Sequence, residues 1–333
     1  MSRIPLTFAC GDYDRTRSIA EGTVPVDGVD LNYLRLPVEE TFFRMLRHRE
    51  FEVAEMSLST YTATLDRAGG LENSPFVAIP VYTSRVFRHG GIFINTEAGI
   101  ERPSDLVGKR IAMPEMQLTA VVWQRGILAD HYGVPLDSAT YFTGGEETPG
   151  RIEKGKVDVP FDVRPIPEDK TISRMLADGE LDALLAPRIP STFDPKGGTV
   201  ARLFPDAKAA EQEYFAQTGI FPIMHVVVIR RDVYERAPWV AQSLTKALNI
   251  AKKEAHARIY DASALQLMDP WLMVHLEQAR TLLGEDFWSY GLGPSDRKVL
   301  ETFLRYHHEQ GLSRTLRAPE EIFAPESLES FII

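Results

Sequence analysis

Apolar residues in this chain come in short runs that switch between a strand-like and a helix-like period. Ile4 to Ala9 alternates loosely and stops at Cys10-Gly11, which predicts a first buried strand. The polar loop Gly11 to Ile19 leads into a short helix, and Val29 to Leu36 predicts a second strand after the Asp27-Gly28 turn. A helix is expected over Glu39 to His48, followed by a third strand, Phe51 to Ser57. Ser57 to Thr60 stands where that strand gives way to a helix, with hydroxyls available as caps.

Tyr82 to Asn95 reads as one long strand. Val86, Phe87, Ile92, Phe93 and Ile94 suit a sheet, yet Arg85, Arg88 and His89 interrupt them. Strand side chains alternate, so Arg85, Phe87 and His89 are expected on one face and Val86 and Arg88 on the other. A cation and an imidazole on an apolar strand are costly unless an anion meets them. The run is therefore either an edge strand with solvated charges or an anion site beside a crossover between two lobes.

Beyond Asn95, strands are expected at Arg110 to Met113, Thr140 to Phe142 and Met224 to Ile229, with a short apolar run at Leu181 to Ala186. Helices are expected at Leu118 to His131 and Thr171 to Ala177, and again after Pro238. There Val240, Leu244, Leu248, Ala251 and Ala255 make one apolar stripe. Further helices are expected at Trp271 to Leu283 and Asp296 to His308, while Lys154 to Lys170 reads as a surface excursion. Strands alternating with helices predict α/β layers with a largely parallel sheet. Crossings near 90–95 and 222–229 predict two lobes joined by two strands. Residues 1–94 plus 226–333, with the C-terminal helices, would form one lobe, and 95–225 the other. Ligands of open α/β sheets bind beyond the carboxyl ends of strands, so the strand-exit loops are expected to face one cleft.

Composition narrows the function. With 44% apolar and 25% charged residues, the chain is that of a soluble globular protein. A net charge of −10 argues against nucleic acid, although a local arginine cluster can still bind a small anion. Cys10 is the sole cysteine, so no internal disulfide or cysteine-rich metal site can form. No stretch approaches the roughly 20 apolar residues of a membrane span. The first residues lack the long apolar core of a signal peptide, which makes the cytoplasm the expected compartment. Dinucleotide, P-loop, zinc-protease and serine-hydrolase motifs are missing. His307 and His308 are adjacent and share no helix face, so a solvated helix end is expected there rather than a metal site. No metal set stands out and no cofactor is expected. Phe331-Ile332-Ile333 is either a partner surface in a homo-oligomer or packs back onto the fold.

Several residues could carry chemistry. Glu55 and Ser57 end the third strand, and Glu115 sits with Gln117 in the loop Met113 to Gln117; such carboxylates either cap the next helix or act in catalysis. His225 opens the strand at 224–229, as a satisfied core histidine or a cleft residue. Arg188, between Pro187 and Pro190, is either a ligand contact or half of a surface ion pair.

Five segments together resemble a known family: FACGDYDRTR (8–17), SRVFRH (84–89), MPEMQLTAVVWQRGIL (113–128), FTGGEETPGR (142–151) and FLRYHHEQGL (303–312). The chain resembles the 4,5-dihydroxyphthalate decarboxylase family, an enzyme group on the type II periplasmic-binding-protein fold. That resemblance implies non-oxidative loss of CO2 from a dihydroxylated aromatic dicarboxylate, leaving a catechol monocarboxylate. Such a reaction needs cations for the retained carboxylate, a base for a ring hydroxyl and an acid for the ring carbon. Position and chemistry suggest Arg85 and Arg188 for the carboxylate, with Arg15 or Arg88 in reserve. His89 and Glu115 are the first candidates for proton transfer and His225 the third. Asp14 and Glu55 could bind the ring hydroxyls, Phe87 and Trp123 could flank the ring, and Ser57 and Gln117 are further substrate contacts. The competing expectation is a solute receptor for a small anionic or aromatic acid. A receptor would share the fold but would need no group poised for proton transfer.

Overall fold

The computed structural model describes residues 3–150 and 159–328. By contact the chain divides into two units: residues 1–85, 223–301 and 317–333, and residues 86–222 with 302–316.

The first unit is built on strands β1 (Ile4–Cys10), β2 (Val29–Arg35), β3 (Val53–Ser57), β4 (Phe76–Arg85) and β11 (Ile223–Arg230). Their order is β2-β1-β3-β11-β4. The pairs β1–β2 and β1–β3 are parallel, whereas β11 runs antiparallel between β3 and β4. The reason lies in connectivity: β4 carries the chain out of this unit and β11 brings it back alongside. The run Val226 to Ile229 is wholly buried, as befits a strand covered on both faces. Helix α1 (Asp14–Ala20), α2 (Val38–His48), α3 (Leu58–Ala68), α7 (Arg231–Arg236), α8 (Trp239–Ile259) and α9 (Leu272–Leu283) complete the unit. The predicted stripe of α8 enters the core, where Val240, Leu244, Leu248 and Ala251 join Leu6, Phe8 and Val29. Each of the valine, leucine and phenylalanine side chains among them contributes about 1.5–3 kcal/mol on burial. The Ser57 hydroxyl accepts from Thr60 N at 3.4 Å as the cap of α3, and Gly69, at φ 81°, ends that helix.

The second unit contains β5 (Ile92–Asn95), β6 (Arg110–Met113), β7 (Thr140–Thr143), β8 (Val163–Pro165), β9 (Ala183–Leu185) and β10 (Val200–Arg202), in the order β10-β5-β9-β6-β7-β8. Here β6 to β9 are mutually parallel, while β5 runs against both β9 and β10. Its helices are α4 (Thr119–Tyr132), α5 (Ile172–Ala177) and α6 (Ala207–Thr218). Helix α10 (Pro294–Glu309) continues into residues 302–316.

Several expectations need correction. The sheets are largely parallel but mixed, because one strand in each, β11 in the first and β5 in the second, runs against its neighbours. The long strand Tyr82 to Asn95 does not exist. β4 begins earlier, at Phe76, and ends at Arg85; residues 86–88 leave the sheet and His89–Gly91 form a short 3-10 turn before β5. Gly91 permits the close packing of that turn: a Cβ there would stand 2.5 Å from the Ala186 carbonyl oxygen. Within the expected surface excursion, Val163–Pro165 forms the edge strand β8, too short to leave a period; residues 154–158 of the excursion lie outside the described residues.

Residues 302–316 were expected in the first lobe but cluster with the second unit. The reason is aromatic packing: Phe303 and Tyr306 lie 5.5 and 5.6 Å from the Trp123 ring, and Gln310 Nε2 donates to Val122 O at 2.8 Å. His307 is buried against Ser313 Oγ (3.1 Å) rather than solvated. Arg151 and the Phe331-Ile332-Ile333 run lie outside the described residues.

Candidate active site

In the first unit the carboxyl ends of β1 and β3 and the adjoining part of β11 converge on one carboxylate. Register pairs His225 with Ser57 and Val227 with Glu55, so Glu55 and His225 are diagonal neighbours across the β3–β11 ladder. His225 Nδ1 lies 2.7 Å from Glu55 Oε1. Glu55 is fully buried, whereas the His225 side chain keeps 16% of its surface exposed. The imidazole packs edge-on against Phe42, ring centroids 4.9 Å apart.

The Glu55 carboxylate is saturated with donors. Oε1 accepts from Thr83 Oγ1 at 2.9 Å and Tyr13 Oη at 3.0 Å, and Oε2 accepts from Gly11 N at 3.1 Å and Cys10 Sγ at 3.5 Å. Burial alone would push this carboxyl up. The charge and hydrogen bond of His225, the Gly11 N–H and the Thr83 hydroxyl outweigh burial and hold it down at about 2. Glu55 is therefore ionised at neutral pH. Burial, with the Glu55 charge second, pushes the Cys10 thiol and the Tyr13 phenol well up, so both remain protonated donors. With every Glu55 lone pair engaged, the expected bond from Glu55 to a substrate hydroxyl has no acceptor left to make it.

Arg15 lies beside this group. Its Nε donates to Thr83 O at 2.6 Å, Nη2 reaches the same oxygen, and Nη1 pairs with Asp14 Oδ1 at 3.2 Å. The guanidinium is held between two rings, its Cζ 4.0 Å from the centroid of Tyr13 and 4.5 Å from that of Trp288. One hydrogen on each terminal nitrogen remains for a further acceptor. Asp14 itself is exposed and occupied by Arg15, which leaves it a weak partner for a ring hydroxyl.

Arg85 does something other than expected. It is 4% exposed, ion-paired to Asp296, and donates to Ser289 O at 2.9 Å. Ser289 Oγ also donates to Asp296, at 2.8 Å, and Trp288 Nε1 donates to Tyr82 O at 2.9 Å. Arg85 thus ties residues 288–296 to the end of β4, and Trp288 over Arg15 is part of the tied segment.

The remaining candidates fall in the second unit. His89 does not share a strand face with Arg85. It is buried among Tyr132, Phe204 and Tyr214, with ring centroids 5.0–5.8 Å away, and neither ring nitrogen has a hydrogen-bond partner among the described residues. Burial, then the charge of His131, lowers it to about 4, so it is neutral at pH 7 and a poor proton donor. Trp123 is wholly buried against α10, which removes it as a flank for a substrate ring. Phe87 is half-buried and stacks on Phe221 at 4.7 Å. Arg88 donates to Pro187 O at 3.3 Å, beside the exposed Arg188, and burial lowers it to about 10. Gln124 Nε2 fastens this turn by donating to Gly91 O at 2.9 Å and Ala186 O at 3.2 Å. Glu115 is buried and Gln117 half-buried in the loop before α4.

Sequence reasoning missed Tyr13, Thr83, Cys10, Phe42 and Trp288. Tyr13 lay inside a segment already singled out; nothing local marks the Thr83 hydroxyl or Trp288, which reach the site only through the fold.

The topology, with a returning antiparallel strand inside an otherwise parallel first sheet, defines the type II periplasmic-binding-protein-like class. The chain superposes on the periplasmic aliphatic sulphonate binding protein SsuA of Escherichia coli with a TM-score of 0.52 and 10% identity, covering 98% of this chain and 99% of that one. For the periplasmic sulfonate-binding protein SsuA of Methylobacillus flagellatus the values are 0.51, 13%, 98% and 93%. In sequence it is 42% identical, over 335 aligned positions and the full length of both chains, to a 4,5-dihydroxyphthalate decarboxylase of Comamonas testosteroni. A 4,5-dihydroxyphthalate decarboxylase of Pseudomonas putida is 42% identical over 217 residues, 65% of this chain and 83% of the relative. The chain belongs to the 4,5-dihydroxyphthalate decarboxylase family. No protein-family model matches it.

Proposed function

We propose that the chain is a carboxy-lyase that converts 4,5-dihydroxyphthalate to a catechol monocarboxylate and CO2, with His225 as the group that moves the proton. The observation that carries the assignment of His225 is the 2.7 Å contact between its Nδ1 and the buried, ionised Glu55. An ionised partner fixes the hydrogen on Nδ1 and leaves Nε2 to exchange a proton with substrate. In 4,5-dihydroxyphthalate each hydroxyl stands para to one carboxylate, so its electron pair can raise the density at the carbon that loses CO2. Nε2 delivers a proton to that carbon; the carbon–carboxylate bond then breaks and its electron pair restores the aromatic ring. The net reaction consumes one proton and releases one CO2.

Arg15 takes the retained carboxylate in this reading, because its two remaining hydrogens present a fork held flat between Tyr13 and Trp288. Glu115, Arg88 and Arg188 stay candidates for contacts with the substrate. The cytoplasm remains the proposed compartment, in keeping with a buried, unbridged Cys10.

Incubation with 4,5-dihydroxyphthalate, following ring absorbance and CO2, tests the proposal. Turnover supports it; tight binding of the dicarboxylate without CO2 would instead favour a solute receptor.

A further inference from the structure

A cavity of about 310 Å³ opens in the first unit between residues 12–17 at the start of α1, the last turn of α8 and residues 266–267. None of Glu55, Ser57, Phe42 and His225 lines it. Its size is that of a small-molecule site at the lower end of the usual range. One wall is apolar, formed by Ala255, Ile259 and Leu267, and the Tyr13 side chain closes another side.

Charge on the remaining wall is unbalanced. Both acidic side chains in the lining are already engaged, Asp12 with Arg35 at 3.2 Å and Asp14 with Arg15 at 3.2 Å. Arg17 and Arg258 also line the cavity, and neither forms an ion pair among the described residues. Arg258 has one neutral partner, donating to Ser18 Oγ at 3.3 Å, and Ser18 passes its own hydrogen to Glu254 at 2.5 Å. Two arginines and three apolar side chains lining so small a space suit a flat ring bearing a carboxylate.

We propose that this cavity is a second binding site, selective for a small aromatic carboxylate, with Arg17 and Arg258 holding the carboxylate and Tyr13, Ile259 and Leu267 the ring. Its occupancy bears on turnover because Tyr13 and Arg15 belong to both sites. The Tyr13 hydroxyl donates to Glu55, and Arg15 holds the carbonyl of Thr83, whose own hydroxyl also donates to Glu55. A ring in the cavity presses on these two side chains and lowers the rate without occupying the place beside His225.

Benzoate is the probe, measured by equilibrium dialysis against the full chain and by its effect on steady-state rates. The expected result is saturable binding that weakens about tenfold in Arg258→Ala and in Arg17→Ala, the loss of one charge-assisted contact. Binding should persist in His225→Gln, and benzoate should lower kcat in a manner that excess substrate does not reverse. Absence of binding, binding by both arginine variants as tight as by the wild type, or inhibition fully reversed by substrate would each overturn the second site. Dialysis needs no turnover, so a failure of the decarboxylase assignment would be recognised separately.

Discussion

Nδ1 of His225 stands 2.7 Å from Oε1 of Glu55, a carboxylate buried 170 positions away in sequence and held ionised by four other donors. A fixed anion on one imidazole nitrogen specifies what the other can do. This arrangement makes His225, rather than the enclosed His89, the centre of proton transfer. His225→Gln should keep the fold, judged by circular dichroism, and lower kcat about 10²–10⁴-fold. His89→Gln should alter stability far more than kcat.

Arg85, a first candidate for the carboxylate, and Arg15, held in reserve for it, should separate in their effects. Arg85→Ala leaves Asp296 buried without its cation, a loss of about 3–5 kcal/mol that a denaturant titration would detect. Arg15→Ala should raise KM at least about tenfold, as removal of a charge-assisted pair does, with a smaller change in the unfolding midpoint. Equal losses of stability in the two variants would contradict these assignments.

Thr83 and Tyr13 act through Glu55. Thr83→Val keeps the shape of the side chain but removes one donor from the carboxylate. Tyr13→Phe does the same from the other side. Each should lower kcat by about tenfold with little change in KM, because both hold the dyad and neither carries the proton. A change confined to KM would assign them to substrate binding instead.

Stability should depend on pH through Glu55. Its folded value is depressed from 4.5 to about 2. A depressed carboxyl contributes stability that is fully present above its unfolded value and lost as pH falls through the folded one. Urea midpoints of the wild type should therefore fall between pH 4.5 and about 2 more steeply than those of Glu55→Gln. Parallel profiles for the two proteins would show that Glu55 is not held in that state.

Much of the fold was legible because burial writes itself into composition. β1, β2, β3 and β11 are short apolar runs bounded by turns, and the α8 stripe has a single helical period. The break at 86–91 was not legible from the apolar residues, since Val86 and Phe87 look like strand; only Gly90-Gly91 signalled it, through the close approach of Ala186. Glu55 and His225 were each marked as candidates by their places at strand ends. Their pairing was not, because a contact across so long a loop depends on which strand β11 enters beside. His89 and Trp123 misled for a related reason. An imidazole or indole in a polar-looking segment reads the same whether it faces a ligand or an aromatic core, and here both face the core.

The central claim is that the Glu55–His225 pair drives decarboxylation, and the direct measurement is CO2 release from 4,5-dihydroxyphthalate by the wild type and by His225→Gln at equal concentration. The account predicts steady release by the wild type and at least about a hundredfold slower release by the variant. Undiminished release by His225→Gln would contradict the role of the pair, and binding of the dicarboxylate by the wild type with no CO2 would contradict the reaction itself.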